Sequence, residues 1–123
     1  MPLTLNPLRD FPLVSPGDDL SALIAETLQK NGFMLEDGDI LVLAQKIVSK
    51  AENRLVNLRS VEPTAEAEHY ASLTGKDPRL LTLILSESQK VLRTRKNLII
   101  VEHRLGFICA NAGIDHSNVS GPW

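Results

Sequence analysis

A single cysteine, Cys109, stands in 123 residues. That excludes an internal disulfide and fits a reducing compartment, so a cytoplasmic setting is expected. Aromatic residues are scarce, with one Trp, one Tyr and three Phe, so the core must be built from Leu, Ile, Val and Ala. No stretch reaches the roughly 20 apolar residues of a membrane span. The start, MPLTLNPLRDF, lacks the long apolar segment of a secretory signal. Charge of one sign is missing too. Thirteen Lys and Arg face 15 Asp and Glu, a net charge of −2, which gives no global basic field for nucleic acid. Neither a membrane nor a nucleic acid is therefore expected as a partner. The common site motifs are absent: no glycine-rich phosphate loop ending in GK, no GxGxxG, no HExxH and no paired-cysteine zinc spacing. The three histidines, His69, His103 and His116, lie far apart in sequence.

What is present fits one domain, 1–123, long enough to close a core. Residues 3–14 carry prolines at 7 and 12 and read as an irregular segment with at most a short strand. Pro16 and Gly17 then break the chain, and Asp18 is a suitable cap for a helix over 18–31. Leu20, Leu23, Ile24 and Leu28 recur there at helical spacing, and Gly32 supplies the stop. After a turn at Asp37 and Gly38, the apolar run 40–44 reads as a central strand. QKIVSKAEN fits a strand or a short helix equally. RLVNLR, 54–59, alternates like a strand. Pro63 and Thr64 open a helix over 64–73. Asp77 and Pro78 open a longer one, with a stripe of Leu80, Leu81, Ile84, Leu85, Val91 and Leu92. Residues 97–115 read as two strands with a turn near 104–106. The expected class is α/β or α+β, a mixed sheet with about three helices, without the regular alternation of a doubly wound nucleotide fold.

Three stretches, in this order, narrow the reading: FPLVSPGDDL (11–20), EDGDILVLAQKIVSKAENR (36–54) and GFICANAGIDHSNV (106–119). KDPRLLTLILSES (76–88) lies between the last two. Together they resemble the amino-terminal half of the coenzyme factor-420 gamma-glutamyl ligases, from about residue 10 to 119. The pairing of SKAE with NAGID-x-SN is what makes the resemblance specific. It implies an enzyme that joins L-glutamate to a deazaflavin coenzyme precursor, using GTP and Mg²⁺ or Mn²⁺, through an acyl phosphate. It also implies a homodimer. Members of that family run to roughly twice this length, so their carboxy-terminal half has no counterpart here. The alternatives are an inactive fragment, a nucleotide-binding module, or one half of a split enzyme that needs a partner chain. Asn53 stands where the family has Gly in SKAEGR, and Asn tolerates positive φ, so the turn is expected to survive.

By residue, the resemblance implies that Asp115 is a metal ligand. Read alone, Asp115 is a loop acid, solvated or capping a turn. Mg²⁺ and Mn²⁺ favour hard oxygen ligands and take one or two carboxylates plus substrate phosphates, so a single Asp is part of a site. Lys50 matches a phosphate contact, a role suited to a flexible point cation. Gln45, Lys46 and Asn118 match further nucleotide contacts, and Asn118 by itself is equally a turn residue. Ser49 can bond phosphate or cap a turn. Phe11, Pro12, Leu13 and Val14 match a contact segment for base or sugar, and packing on the core explains them equally well. Asn111 and Gly113 shape the loop before Asp115, Gly113 by allowing positive φ or close approach. Asp18 and Asp19 are a tempting carboxylate pair, but capping explains both. Cys109, between Ile108 and Ala110, reads as buried and inert. His69 reads as a surface residue and His103 as a satisfied structural one. No residue stands out as a covalent nucleophile.

Overall fold

Local capping chemistry starts and stops the helices in the computed structural model, which describes residues 1–116. Helix α1, Leu20–Lys30, begins where Asp19 Oδ1 accepts the Ala22 N–H at 3.0 Å. It ends where Gly32 takes φ 72° and the N–H groups of Gly32 and Phe33 return to Gln29 and Leu28. That double return is a Schellman stop. The N-cap is thus Asp19, not Asp18. Asp18 serves the preceding turn instead, its Oδ2 accepting the Ser15 N–H at 2.7 Å. Helix α2 is Gln45–Ala51, so the ambiguous QKIVSKAEN is helical. It closes with the same device: Asn53 at φ 54°, with Arg54 N–H donating to Ser49 O at 2.8 Å and Asn53 N–H to Lys50 O at 3.0 Å. Asn53 therefore holds the left-handed position expected of it.

Helix α3, Ala65–Thr74, is capped by Thr64, which accepts the Ala67 N–H at 3.1 Å, and stops at Gly75 with φ 73°. Helix α4, Pro78–Ser86, carries Pro at its start and Asp77 as cap. Strands β1 (Ser88–Arg95), β2 (Leu98–His103) and β3 (Ile108–Ala110) form one antiparallel sheet in the order β1-β2-β3. A 3-10 turn, Leu58–Ser60, precedes α3. The class is α+β, as expected.

The chain divides into two compact units, Met1–Leu55 and a second beginning at Val56. The second closes a core from Ala67, Leu81, Ile84, Ile99, Val101 and Ala112. In β2, Ile99, Val101 and His103 are buried while their neighbours are not, the period-2 pattern of a strand with one covered face. The β1–β2 hairpin is tied back to α3 by Asn97 N–H donating to Thr74 O at 2.7 Å. The first unit holds its irregular segments by polar clamps. The Asn31 amide bonds Arg9 in both directions, Nδ2 to Arg9 O at 3.1 Å and Arg9 N–H to Oδ1 at 3.0 Å.

Several expected elements differ. Residues 40–44 lie in no helix and no ladder, because a strand needs a neighbour and none of the described residues pairs with them. A mixed sheet would have needed that strand, and the observed sheet is antiparallel throughout. Residues 3–14 contain no strand, and 54–59 run into the 3-10 turn instead of forming one. Helix α4 stops at Ser86 and does not continue through Leu92. Ser88 Oγ donates to Ile84 O at 2.6 Å, and Arg104 N–H takes Glu87 O at 2.9 Å, which redirects the chain into β1. Cys109 is partly exposed, since β3 is a short edge strand paired on one side only. No helix among the described residues is long and apolar enough to cross a membrane.

Candidate functional site

In the first unit, α2 carries Gln45 and Lys46 in its first turn and Lys50 one turn later. Residues four apart in a helix share a face, so the two ammonium groups project on one side. Lys46 is exposed and Lys50 half-buried, and no carboxylate pairs with either among the described residues. Such a pair is suited to an anion with more than one charge, each lysine acting as a point cation. The helix end is braced, because Gly17 N–H donates to Ala51 O at 3.0 Å. That bond brings the turn following residues 11–14 against the end of α2. Within that segment the two explanations divide by residue. Val14 is buried at 8% and packs, Leu13 is 94% exposed, Pro12 is exposed and Phe11 is half-buried. Leu13 and Phe11 are therefore available to a ligand, and Val14 is occupied with packing. Ser49 is half-buried, and its carbonyl closes the helix stop.

In the second unit, Asp115 follows the loop that Asn111 and Gly113 were expected to shape, and it is a tight left-handed turn. Asn111, Ala112 and Gly113 stand at φ 56°, 52° and 74°, three consecutive left-handed residues. Ile114 N–H donates to Asn111 O at 2.9 Å, closing the turn. For residues with a Cβ this conformation costs roughly 1–2 kcal/mol each, so something must hold it. The Ala112 methyl does so: it is 6% exposed and belongs to the core. Ile114 packs against the same core, and Asp115, the next residue, is exposed. The carboxylate is therefore presented at the surface from an anchored turn. Gly113 does take positive φ. Asn118 lies outside the described residues.

Among the described residues, no three His, Cys, Asp or Glu side chains converge as a metal cage. Asp115 offers one hard oxygen ligand, which suits an ion whose other positions are filled by phosphate, water or further protein groups.

A second polar cluster lies beside the sheet. The buried His103 places Nε2 3.3 Å from Glu87 Oε2, while its Nδ1 accepts the Leu105 N–H at 3.1 Å. With Nδ1 occupied as an acceptor, Nε2 is the nitrogen left to carry a hydrogen on the side that faces Glu87. Arg104 Nε donates to the same oxygen at 3.0 Å, and Phe107 stacks on the imidazole at 4.4 Å. Both ring nitrogens face a polar neighbour and the ring face is covered by Phe107, so this is a structural pin between the start of β1 and the β2–β3 turn. His69 is exposed on α3, as expected.

Comparison with known proteins gives a consistent result. The family model described as F420-0:gamma-glutamyl ligase matches residues 9–123. The chain is similar to the coenzyme F420:L-glutamate ligase of Methanothermobacter thermautotrophicus, 47% identical over 97% of this chain and 47% of the relative. It is 48% identical to that of Methanopyrus kandleri over 94% of this chain and 44% of the relative. The Archaeoglobus fulgidus ligase is 36% identical, over 97% and 45% respectively. The chain thus spans a little under half the length of the curated relatives it matches.

Proposed function

The chain belongs to the F420-0:gamma-glutamyl ligase family, and from that premise we propose that it carries the nucleotide-facing portion of a GTP-dependent glutamate ligase. The structural observation that supports this reading is the braced pair Lys46 and Lys50 on one face of α2. In the proposed reaction a carboxylate oxygen of the deazaflavin precursor attacks the γ-phosphorus of GTP. The bond from that phosphorus to the β–γ bridging oxygen breaks, and GDP leaves. The amine of L-glutamate then attacks the acyl carbon of the acyl phosphate. The C–O bond to phosphate breaks, inorganic phosphate departs, and the amine proton passes to solvent as the amide forms.

The chain's own residues act by charge and position. Lys50 and Lys46 offset the triphosphate as charge builds on the transferred group. Gln45 bonds the nucleotide, with Asn118 as a further contact, and Phe11 with Leu13 supplies apolar surface for base or sugar. A divalent ion, Mg²⁺ or Mn²⁺, supplies charge neutralisation when bound, and Asp115 is the residue here that would hold it. No covalent nucleophile is required, because the acyl phosphate forms between the two substrates.

Calorimetric titration of GTP with Mn²⁺ tests the reading. It is run on this chain alone and with the remaining portion of the M. thermautotrophicus ligase added. Charge-assisted contacts are worth about 1.5–3 kcal/mol, so Lys50→Ala should weaken binding roughly ten- to a hundredfold with or without metal. Asp115→Asn should weaken it by a similar factor only when metal is present. Parent-like binding by both variants in the complemented setting would return both residues to ordinary solvated surface.

A further inference from the structure

Residues 40–44 connect the Gly38 turn to α2, and their exposure is unusual for their chemistry. Ile40 is 85% exposed, Leu41 44%, Val42 89% and Leu43 36%. The alternation is that of a strand: Leu41 and Leu43 lean on their unit while Ile40 and Val42 stand clear. Phe33, Met34 and Leu35 extend the apolar surface at the end of α1. Among the described residues, no N–H of residues 40–44 donates a hydrogen bond, and no carbonyl of residues 40–43 accepts one.

A free edge in a soluble protein is normally blunted by Lys, Pro, a bulge or a covering loop. The run ILVL has none of these. Apolar side chains on both faces mark a strand meant to be covered on both faces, inside a sheet. Something therefore pairs with it. The matched relatives carry more than half of their length outside the matched portion. That length is where a covering partner can come from in any chain or pair of chains that contains both portions. A second copy of this segment is the rival occupant. It would make a two-stranded ribbon with the Ile40 and Val42 face still open, and such a ribbon is marginal in water.

We infer that residues 40–44 are the seat on which the remaining portion of a family ligase docks, by adding a β-strand whose apolar side chains cover Ile40 and Val42. The affinity comes from backbone hydrogen bonds along the run, the mode of strand addition to an open edge. The inference rests on family membership and on the open run, and is independent of the nucleotide reading.

Hydrogen exchange at the amides of residues 40–44 tests it, with GTP and metal left out of every arm. In this chain alone at low concentration, the amides should exchange near the open-chain rate. In a fusion to the remaining portion of the M. thermautotrophicus ligase they should slow by at least about a hundredfold, as paired core strands do. Val42→Asp should abolish that slowing and leave the melting of the isolated chain unchanged, since the side chain is already solvated. Unchanged exchange in the fusion overturns the inference. So does slowing in the isolated chain that tracks a doubling of mass by light scattering, which would assign the run to a second copy. Exchange on the native relative covers a fusion that fails to fold: free exchange there, at the positions aligned with 40–44, overturns it as well.

Discussion

Leu81 and Leu41 are the same side chain in opposite settings. Leu81 is fully buried in α4, among Ala67, Ile84, Ile99 and Val101. Leu41 is 44% exposed and flanked by Ile40 and Val42, which are more exposed still. The second unit uses its apolar residues against one another, while the first holds together by caps, turns and amide clamps and leaves an apolar run open. Apolar content is therefore a poor guide to where stability resides. What counts is whether the topology supplies a facing element.

Matched truncations test that contrast most strongly. Leu81→Ala should cost about 2–5 kcal/mol, the lost transfer energy plus a cavity, whereas Leu41→Ala should cost under about 1 kcal/mol. Urea midpoints of the two variants decide it. Comparable losses would mean that Leu41 is covered in solution.

A smaller effect is expected from the clamp in the first unit. Asn31→Ala removes the two bonds to Arg9 and a third from Nδ2 to Thr27 O at 2.8 Å. Partly solvated bonds of this kind give a net loss of about 1–1.5 kcal/mol. Exchange at the Arg9 amide should quicken while the amides of β2 keep their protection. Faster exchange at both would show that the units do not open separately.

The smallest effect concerns Asp77, whose carboxyl is held below its ordinary range chiefly by hydrogen bonding to Arg79, with Oδ2 2.6 Å from Nη2. A carboxylate favoured in the folded state contributes stability above its unfolded pKa, near 3.8, and loses it as pH falls through the lower folded value. Asp77→Asn keeps a competent N-cap and removes the ion pair. It should cost about 0.2–1 kcal/mol at neutral pH, and the gap from the parent should close below about pH 4. Melting curves from pH 2.5 to 7 would show the convergence, and a constant gap would place the cost in the cap itself.

The helix ends were legible because their chemistry is local. Gly32, Thr64, Asp77 with Pro78, and Asn53 each act on backbone groups a few residues away. Residues 40–44 misled because a strand exists only with a partner, which no local pattern reports. The end of α4 misled because Val91 and Leu92 continue the helical spacing by coincidence, while Ser88 and Arg104 redirect the chain through contacts distant in sequence. Of the candidate site, the shared face of Lys46 and Lys50 followed once α2 proved helical. Residues 11–14 divide only through tertiary packing, which buries Val14 and leaves Leu13 in solvent. The left-handed turn before Asp115 was half visible in Gly113. Nothing marked Ala112, since alanine rarely adopts positive φ.

That turn also sets the terms on which this region can diversify. Position 112 admits a very short alphabet: positive φ disfavours β-branched residues, and the core leaves room for little beyond a methyl group. Three positions later the alphabet is longer, because the exposed side chain at 115 is not confined by the core. Address and chemistry are thus inherited separately. A lineage can alter what is offered to a ligand at position 115 without moving it, and it can move that offering only by rebuilding the interior beneath Ala112.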